Sequence, residues 1–123
     1  MASHIEMSAH NDGSNLVRNT APDIVIDEFP EGWDGQSFEF GNVFMFIFTI
    51  QANAVEFPLH SSPDTWLAYV ISGSGTLIAG DSNDNKTQEM QYSAGDFITF
   101  DANTPHGWRN DNQKSKILFT KRL

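Results

Sequence analysis

Apolar positions along this chain recur in short bursts, and turn-forming residues separate them. Residues 23–29 (DIVIDEF) are rich in β-branched side chains and predict a strand that stops at Pro30. The stretch PEGWDGQS behind it is dense in turn formers and predicts a loop. In residues 38–50 (FEFGNVFMFIFTI), Phe38, Phe40, Phe44, Phe46 and Phe48 all hold even positions. Side chains alternate across a strand, so this predicts a phenylalanine ladder on one sheet face. Val43, Met45 and Ile47 make the odd face apolar too. A strand apolar on both faces is buried on both. In a chain this small, one face lines a barrel and the other meets a second subunit, which predicts a homodimer.

Further strands are expected over 54–59, 66–71, 76–79, 87–92, 96–100, 106–109 and 116–121. Ser72–Gly75 reads as a turn, and GDSNDNK (80–86) as a loop without apolar residues. No segment carries a helical period of useful length. Short strands at regular spacing predict an all-β antiparallel sandwich or barrel. Residues 1–20 are polar and unpatterned and read as a disordered N-terminal arm, leaving 21–123 as one domain.

Composition narrows the partners. The chain has 123 residues, 7 Lys+Arg against 16 Asp+Glu and a net charge of −9. Nucleic acid and anionic membrane surfaces need clustered cations, so neither is expected as a partner. There is no cysteine, which removes disulfides, thiolate metal sites and cysteine nucleophiles. No apolar run approaches the ~20 residues of a membrane helix. The first residues lack a charged-then-apolar leader pattern, and a cytoplasmic protein is expected.

Candidate chemistry rests on two of the four histidines. His60 lies in FPLHSSPDTWLAYVISGSG and His106 in GDFITFDANTPHGWRN. Imidazole is a common metal ligand and the proton carrier of neutral pH. If close together, the two repel when both are protonated, so one pKa falls and a neutral base remains for proton abstraction or isomerisation. A third reading leaves them as inherited barrel residues, hydrogen-bonded to each other or to water. Trp108 stands two residues after His106 and shares its strand face. Trp33 reads as a lid or a dimer contact. No G-x-S-x-G elbow supports a hydrolase triad around Ser61 and Ser62.

The spacing of these residues resembles the two motifs of the cupin superfamily. Gly95, His106 and Asn110 keep the register of the second motif, with Asp101 and Asn103 in place of its Pro and Gly. His60 and Gly73 keep the register of the first. Ala54 replaces its Gly, Ser62 its second His and Trp66 its Glu. The resemblance spans roughly residues 38–121. It implies a cupin β-barrel, or jelly roll, that binds a small molecule. It also implies oxygenase, isomerase, lyase or decarboxylase chemistry on one divalent transition metal (Fe, Mn, Ni, Cu or Zn). Of the family's three-His, one-Glu cage, only His60 and His106 carry over as metal or catalytic residues. Asp64 could supply a carboxylate but reads first as a turn former after Pro63. Glu56, four residues from His60, lies too far along a strand. Trp66 should point inward with Ala68 and Val70, while Leu67, Tyr69 and Ile71 face outward. Ser62, Trp66 and Trp108 are then the candidate ligand-binding residues. The alternative is a metal-free, non-catalytic ligand-binding or sensor module. Asn103 is expected to take a positive φ where the family uses Gly.

Overall fold

The computed structural model describes residues 3–8, 15–20 and 29–123. In chain order the strands are β1 (Ser3–Ser8), β2 (Asn15–Thr20), β3 (Trp33–Phe40), β4 (Val43–Ile50), β5 (Phe57–His60), β6 (Trp66–Ser72), β7 (Ser74–Ser82), β8 (Asn85–Ser93), β9 (Phe97–Phe100), β10 (His106–Asn110) and β11 (Ser115–Arg122). β1 and β2 pair with each other. The others form two antiparallel sheets, ordered β3-β4-β11-β6-β9 and β5-β10-β7-β8. Sequence neighbours such as β4 and β5, or β5 and β6, fall in opposite sheets, the wiring of a jelly roll. Among the described residues there is no helix long and apolar enough to cross a membrane.

The two sheets close on one apolar core. Phe46, Phe48 and Ile50 of β4, Ala68 and Val70 of β6, and Ile117 and Phe119 of β11 meet Tyr92 of β8 and Trp108 of β10. Burying one such large side chain is worth roughly 1.5–3 kcal/mol. An exposed ion pair is worth about 0–1 kcal/mol. The core, rather than the surface charges, therefore holds the sheets together.

Four readings of the sequence change. First, the phenylalanine ladder breaks at Gly41–Asn42. Phe38 pairs with Met45 and Phe40 with Val43 across this two-residue turn. Directly opposed residues share a face, so Phe38 and Phe40 lie outside while Phe44, Phe46 and Phe48 line the interior. Parity carries along a strand but not around a turn. Second, β3 begins inside the expected loop PEGWDGQS. Its inward positions are Trp33, Gly35 and Ser37, opposite Ile50, Phe48 and Phe46. The small residues leave room for the rings, and a methyl group at Gly35 would overlap Phe46. Third, β7 and β8 run through most of the expected loop at 80–86, with the turn confined to Asn83 and Asp84. β8 is an edge strand with only Tyr92 buried, so no apolar alternation marks it. Fourth, the stretch read as a disordered arm contains the β1–β2 hairpin, in register from Ser3↔Thr20 to Ser8↔Asn15. Its strands are mostly solvent-exposed, so nothing selects an apolar face in the sequence. The strand expected over 23–29 lies outside the described residues except for Phe29.

Trp33 is neither a lid nor a dimer contact. It is buried, packs edge-on to Phe48 and Phe57, and donates its indole N–H to the Val55 carbonyl at 2.6 Å.

Candidate functional site

β5 and β10 are antiparallel neighbours whose register sets His106 directly opposite His60. The two imidazole centroids are 4.3 Å apart. Each ring is anchored the same way. His60 Nδ1 bonds the Pro58 carbonyl at 3.0 Å, and His106 Nδ1 bonds the Thr104 carbonyl at 2.7 Å. A carbonyl can only accept, so Nδ1 carries the proton in both rings. When neutral, each ring keeps its free lone pair on Nε2. Burial pushes the His106 pKa below its ordinary value; the Thr104 carbonyl opposes this, and His60 adds to it. His106 is thus held as a neutral base, mainly by desolvation and less by its twin.

The loops that carry the pair are tied together. Asn103 has φ 63°, the left-handed conformation expected for it, and its N–H donates to the Ser62 carbonyl at 2.7 Å. Gly73 has φ 84°, and any side chain there would strike Ser115. Asn110 explains its place in the second motif structurally. It donates to the Gln51 and Gln113 carbonyls at 3.0 and 2.8 Å and accepts from the Ser115 hydroxyl at 2.6 Å.

Beside the histidines lies a cavity of about 400 Å³. Its walls are mostly aromatic: Phe44, Phe46 and Phe48 from β4, Phe57, Phe100 and Phe119, with Phe29 and Trp108. Trp66 lines it too, so its inward orientation agrees with the sequence reading. Ala68 and Val70 are buried with it, while Leu67 and Ile71 face out. Trp108 also lies on the wall and is packed against Phe119 at 5.3 Å. The polar groups on the lining are His60, His106, Ser62, Glu39 and Lys121.

The first-motif positions have been rebuilt around tryptophan. The Trp66 indole N–H donates to Ser62 Oγ at 3.2 Å, and the Asp64 backbone N–H donates to the same oxygen at 3.3 Å. Both lone pairs of that hydroxyl are engaged, and its own proton is what remains to offer a ligand. Asp64 turns away from the histidines and pairs with Lys121 at 2.8 Å. The Lys121 ammonium also lies over the Trp66 and Phe44 rings, 5.1 and 5.6 Å from their centroids. Glu56 bonds Arg109, away from His60.

This donor set does not fit a closed transition-metal cage. Such sites take three or four protein ligands. Among the described residues no group of three His, Cys, Asp or Glu could hold an ion. Ser62 has its lone pairs occupied, Trp66 cannot ligate, and Asp64 is held by Lys121.

The candidates His60, His106, Ser62, Trp66 and Trp108 all reach this one cavity. The sequence reading did not name most of its aromatic lining or Lys121. The inward parity of Ser115, Ile117 and Phe119 on β11 was the available signal, since it carries Lys121 to the same face.

Comparisons with known proteins agree with this architecture. The family model described as Cupin domain matches residues 46–120. Among solved structures, the polyketide cyclase RemF from Streptomyces resistomycificus is similar, with a TM-score of 0.68 and 18% identity over 81% of this chain and 71% of that one. A cupin-2 domain containing protein from Shewanella frigidimarina has a TM-score of 0.60 and 16% identity over 77% of this chain and 85% of that one. The oxalate decarboxylase of Lactobacillus farciminis has a TM-score of 0.65 and 19% identity, and this chain, 77% of it aligned, covers 29% of that one. No curated protein matches the chain in sequence.

Proposed function

Since the chain belongs to the cupin family, we propose that its barrel binds one small, planar, largely apolar organic molecule, and that His60 and His106 take a proton from it and return it. The observation that carries this reading is the pair of imidazoles with identical Nδ1 anchors in an aromatic cavity. Neutral Nε2 atoms are the proton acceptors that abstraction needs. Rings 4.3 Å apart do not both hold a positive charge readily, so a proton gained by one is soon given back. Aromatic walls stack on a flat ligand and exclude water from the exchange. The Ser62 O–H orients an oxygen of that ligand, and Trp66 and Trp108 form its walls. The volume of about 400 Å³ lies at the small end of ligand pockets.

The test has two readouts. Flat aromatic acids, phenols and 1,3-dicarbonyl compounds are titrated against tryptophan fluorescence, with Trp66→Ala as control. Proton–deuterium exchange into any binder is then followed by NMR in heavy water. Quenching that Trp66→Ala abolishes is expected, with exchange slowed roughly 100-fold or more by His106→Ala. Binding without exchange would favour the non-catalytic binding or sensor module. Absence of quenching across the panel would sink the reading.

A second reading keeps one divalent ion (Fe, Mn, Ni, Cu or Zn) on His60 and His106 alone. The same Nδ1 anchors favour it, because a metal-ligating imidazole usually donates its other N–H to a carbonyl or carboxylate. Two protein nitrogens predict weak, exchangeable binding. Near-stoichiometric metal in untagged protein, lost in both alanine variants, would establish it.

A further inference from the structure

Among the described residues, Lys121 is the single lysine or arginine on the cavity lining. The chain has 7 basic residues against 16 acidic ones, so a cation placed against an aromatic cavity stands out. Its ammonium has three N–H donors. One goes to Asp64 at 2.8 Å, and no other hydrogen bond to this ammonium is formed among the described residues. The Trp66 and Phe44 faces hold it as well, at 5.1 and 5.6 Å. The Asp64 side chain is 40% exposed, so water can take over its carboxylate. Partly exposed pairs of this kind contribute little to stability and exchange partners readily.

An aromatic wall separates this lysine from the histidines. Phe119 is the neighbouring inward position on β11, about 7 Å along the strand from Lys121. The Phe119 ring stacks on Phe100 at 6.2 Å, and Phe100 lies 4.6 Å from the His106 ring. A flat ligand lying along these rings meets a fixed ammonium at one end and neutral imidazoles at the other.

We propose that Lys121 receives a carboxylate of the ligand, and that Asp64 is the carboxylate it gives up in exchange. This rests on the proton-transfer reading above and names its substrate class, a flat conjugated carboxylic acid whose exchangeable proton lies remote from its carboxylate. The chain carries −9, which repels an anion, so admitting one takes a local cation. An ammonium beside apolar walls bonds a carboxylate more strongly than water does. Glu39 also lines the cavity, but it faces Phe44 from β3 while Lys121 faces Phe44 from β11. Two strand spacings, about 10 Å, therefore separate their backbones. A cationic ligand drawn by Glu39 and Asp64 would find the place over the Trp66 and Phe44 rings already taken by Lys121.

Calorimetric titration of the full chain at pH 7 tests this, with benzoate, cinnamate and 2-naphthoate each paired with its primary amide. At least one acid should bind roughly 10-fold or more tighter than its amide. Lys121→Met, which keeps the apolar stem, should erase that preference and leave amide binding unchanged, and Lys121→Arg should restore it. Asp64→Asn removes the internal competitor and should tighten acid binding several-fold, but not in the Lys121→Met background. A purely structural lysine would weaken acid and amide alike, and that result would overturn the proposal. So would equal binding of acid and amide in wild type, which leaves the proton-transfer reading standing. Absence of binding by acids and amides alike would overturn both.

Discussion

At the scale of single residues, His106 ties stability to pH. Burial holds its pKa below the ordinary 6.5 in the folded chain, so between the two values the unfolded chain binds more protons. Stability then rises with pH and is lost as pH falls below about 6.5, because folding must keep the ring neutral. Urea unfolding at pH 7, 6 and 5 should show a steady decline in wild type. The decline should be shallower in His106→Asn, which has no proton to gain. Equal slopes would remove the role given to burial. Tyr92 makes a second case. Its ring packs against Trp108, but its hydroxyl is buried with no partner among the described residues, and desolvation raises its pKa. Deleting an unsatisfied hydroxyl removes a penalty without breaking a bond. Tyr92→Phe should match wild type or exceed it by up to about 1 kcal/mol in chemical denaturation. A loss larger than that would show that the hydroxyl has a partner.

At the scale of elements, the site depends on how two loops meet. The turn before β10 uses a left-handed Asn103, and its N–H holds the Ser62 carbonyl. Asn103→Gly should be tolerated, whereas Asn103→Ala should cost about 1–2 kcal/mol, the usual strain of a left-handed residue with a β-carbon. Thermal unfolding of both variants checks this, and equal losses would mean that the side-chain amide matters instead. This element was legible in the sequence because Asn stood at the family's glycine position. The histidines were legible for the same reason: motif register places β5 against β10. Other features were illegible because they depend on pairing across strands. Nothing local in WDGQS announces a strand, since its small residues make sense only beneath Phe46 and Phe48. Phe38 and Phe40 share parity with the interior phenylalanines and still face outward, because a two-residue turn separates them. Lys121 ends the strand expected over 116–121 with nothing local to single it out, and only the pairing of β11 with β4, which sets it opposite Phe44, brings it to the cavity beside Trp66.

At the scale of the whole molecule, the two sheets are unequal partners around one cavity. The five-stranded sheet supplies most of the aromatic wall and the apolar outer face, while the four-stranded sheet supplies both histidines and the charged exterior. Edge strands usually fray first. β8 fits that rule, since seven consecutive residues from Asn85 to Gln91 are exposed. β3 is also an edge strand, yet its Gly35 backbone lies beneath the Phe46 ring, and Trp33 is bonded to Val55. To peel away, β3 would have to lift that ring out of the core. Hydrogen–deuterium exchange should therefore find the β3 amides bonded to β4 opening only with the global unfolding event, and those of β8 opening far sooner. One glycine beneath one ring would then give an edge strand the slow clock of a central one, and Gly35→Ala, which lifts the ring, should set β3 to the rate of β8.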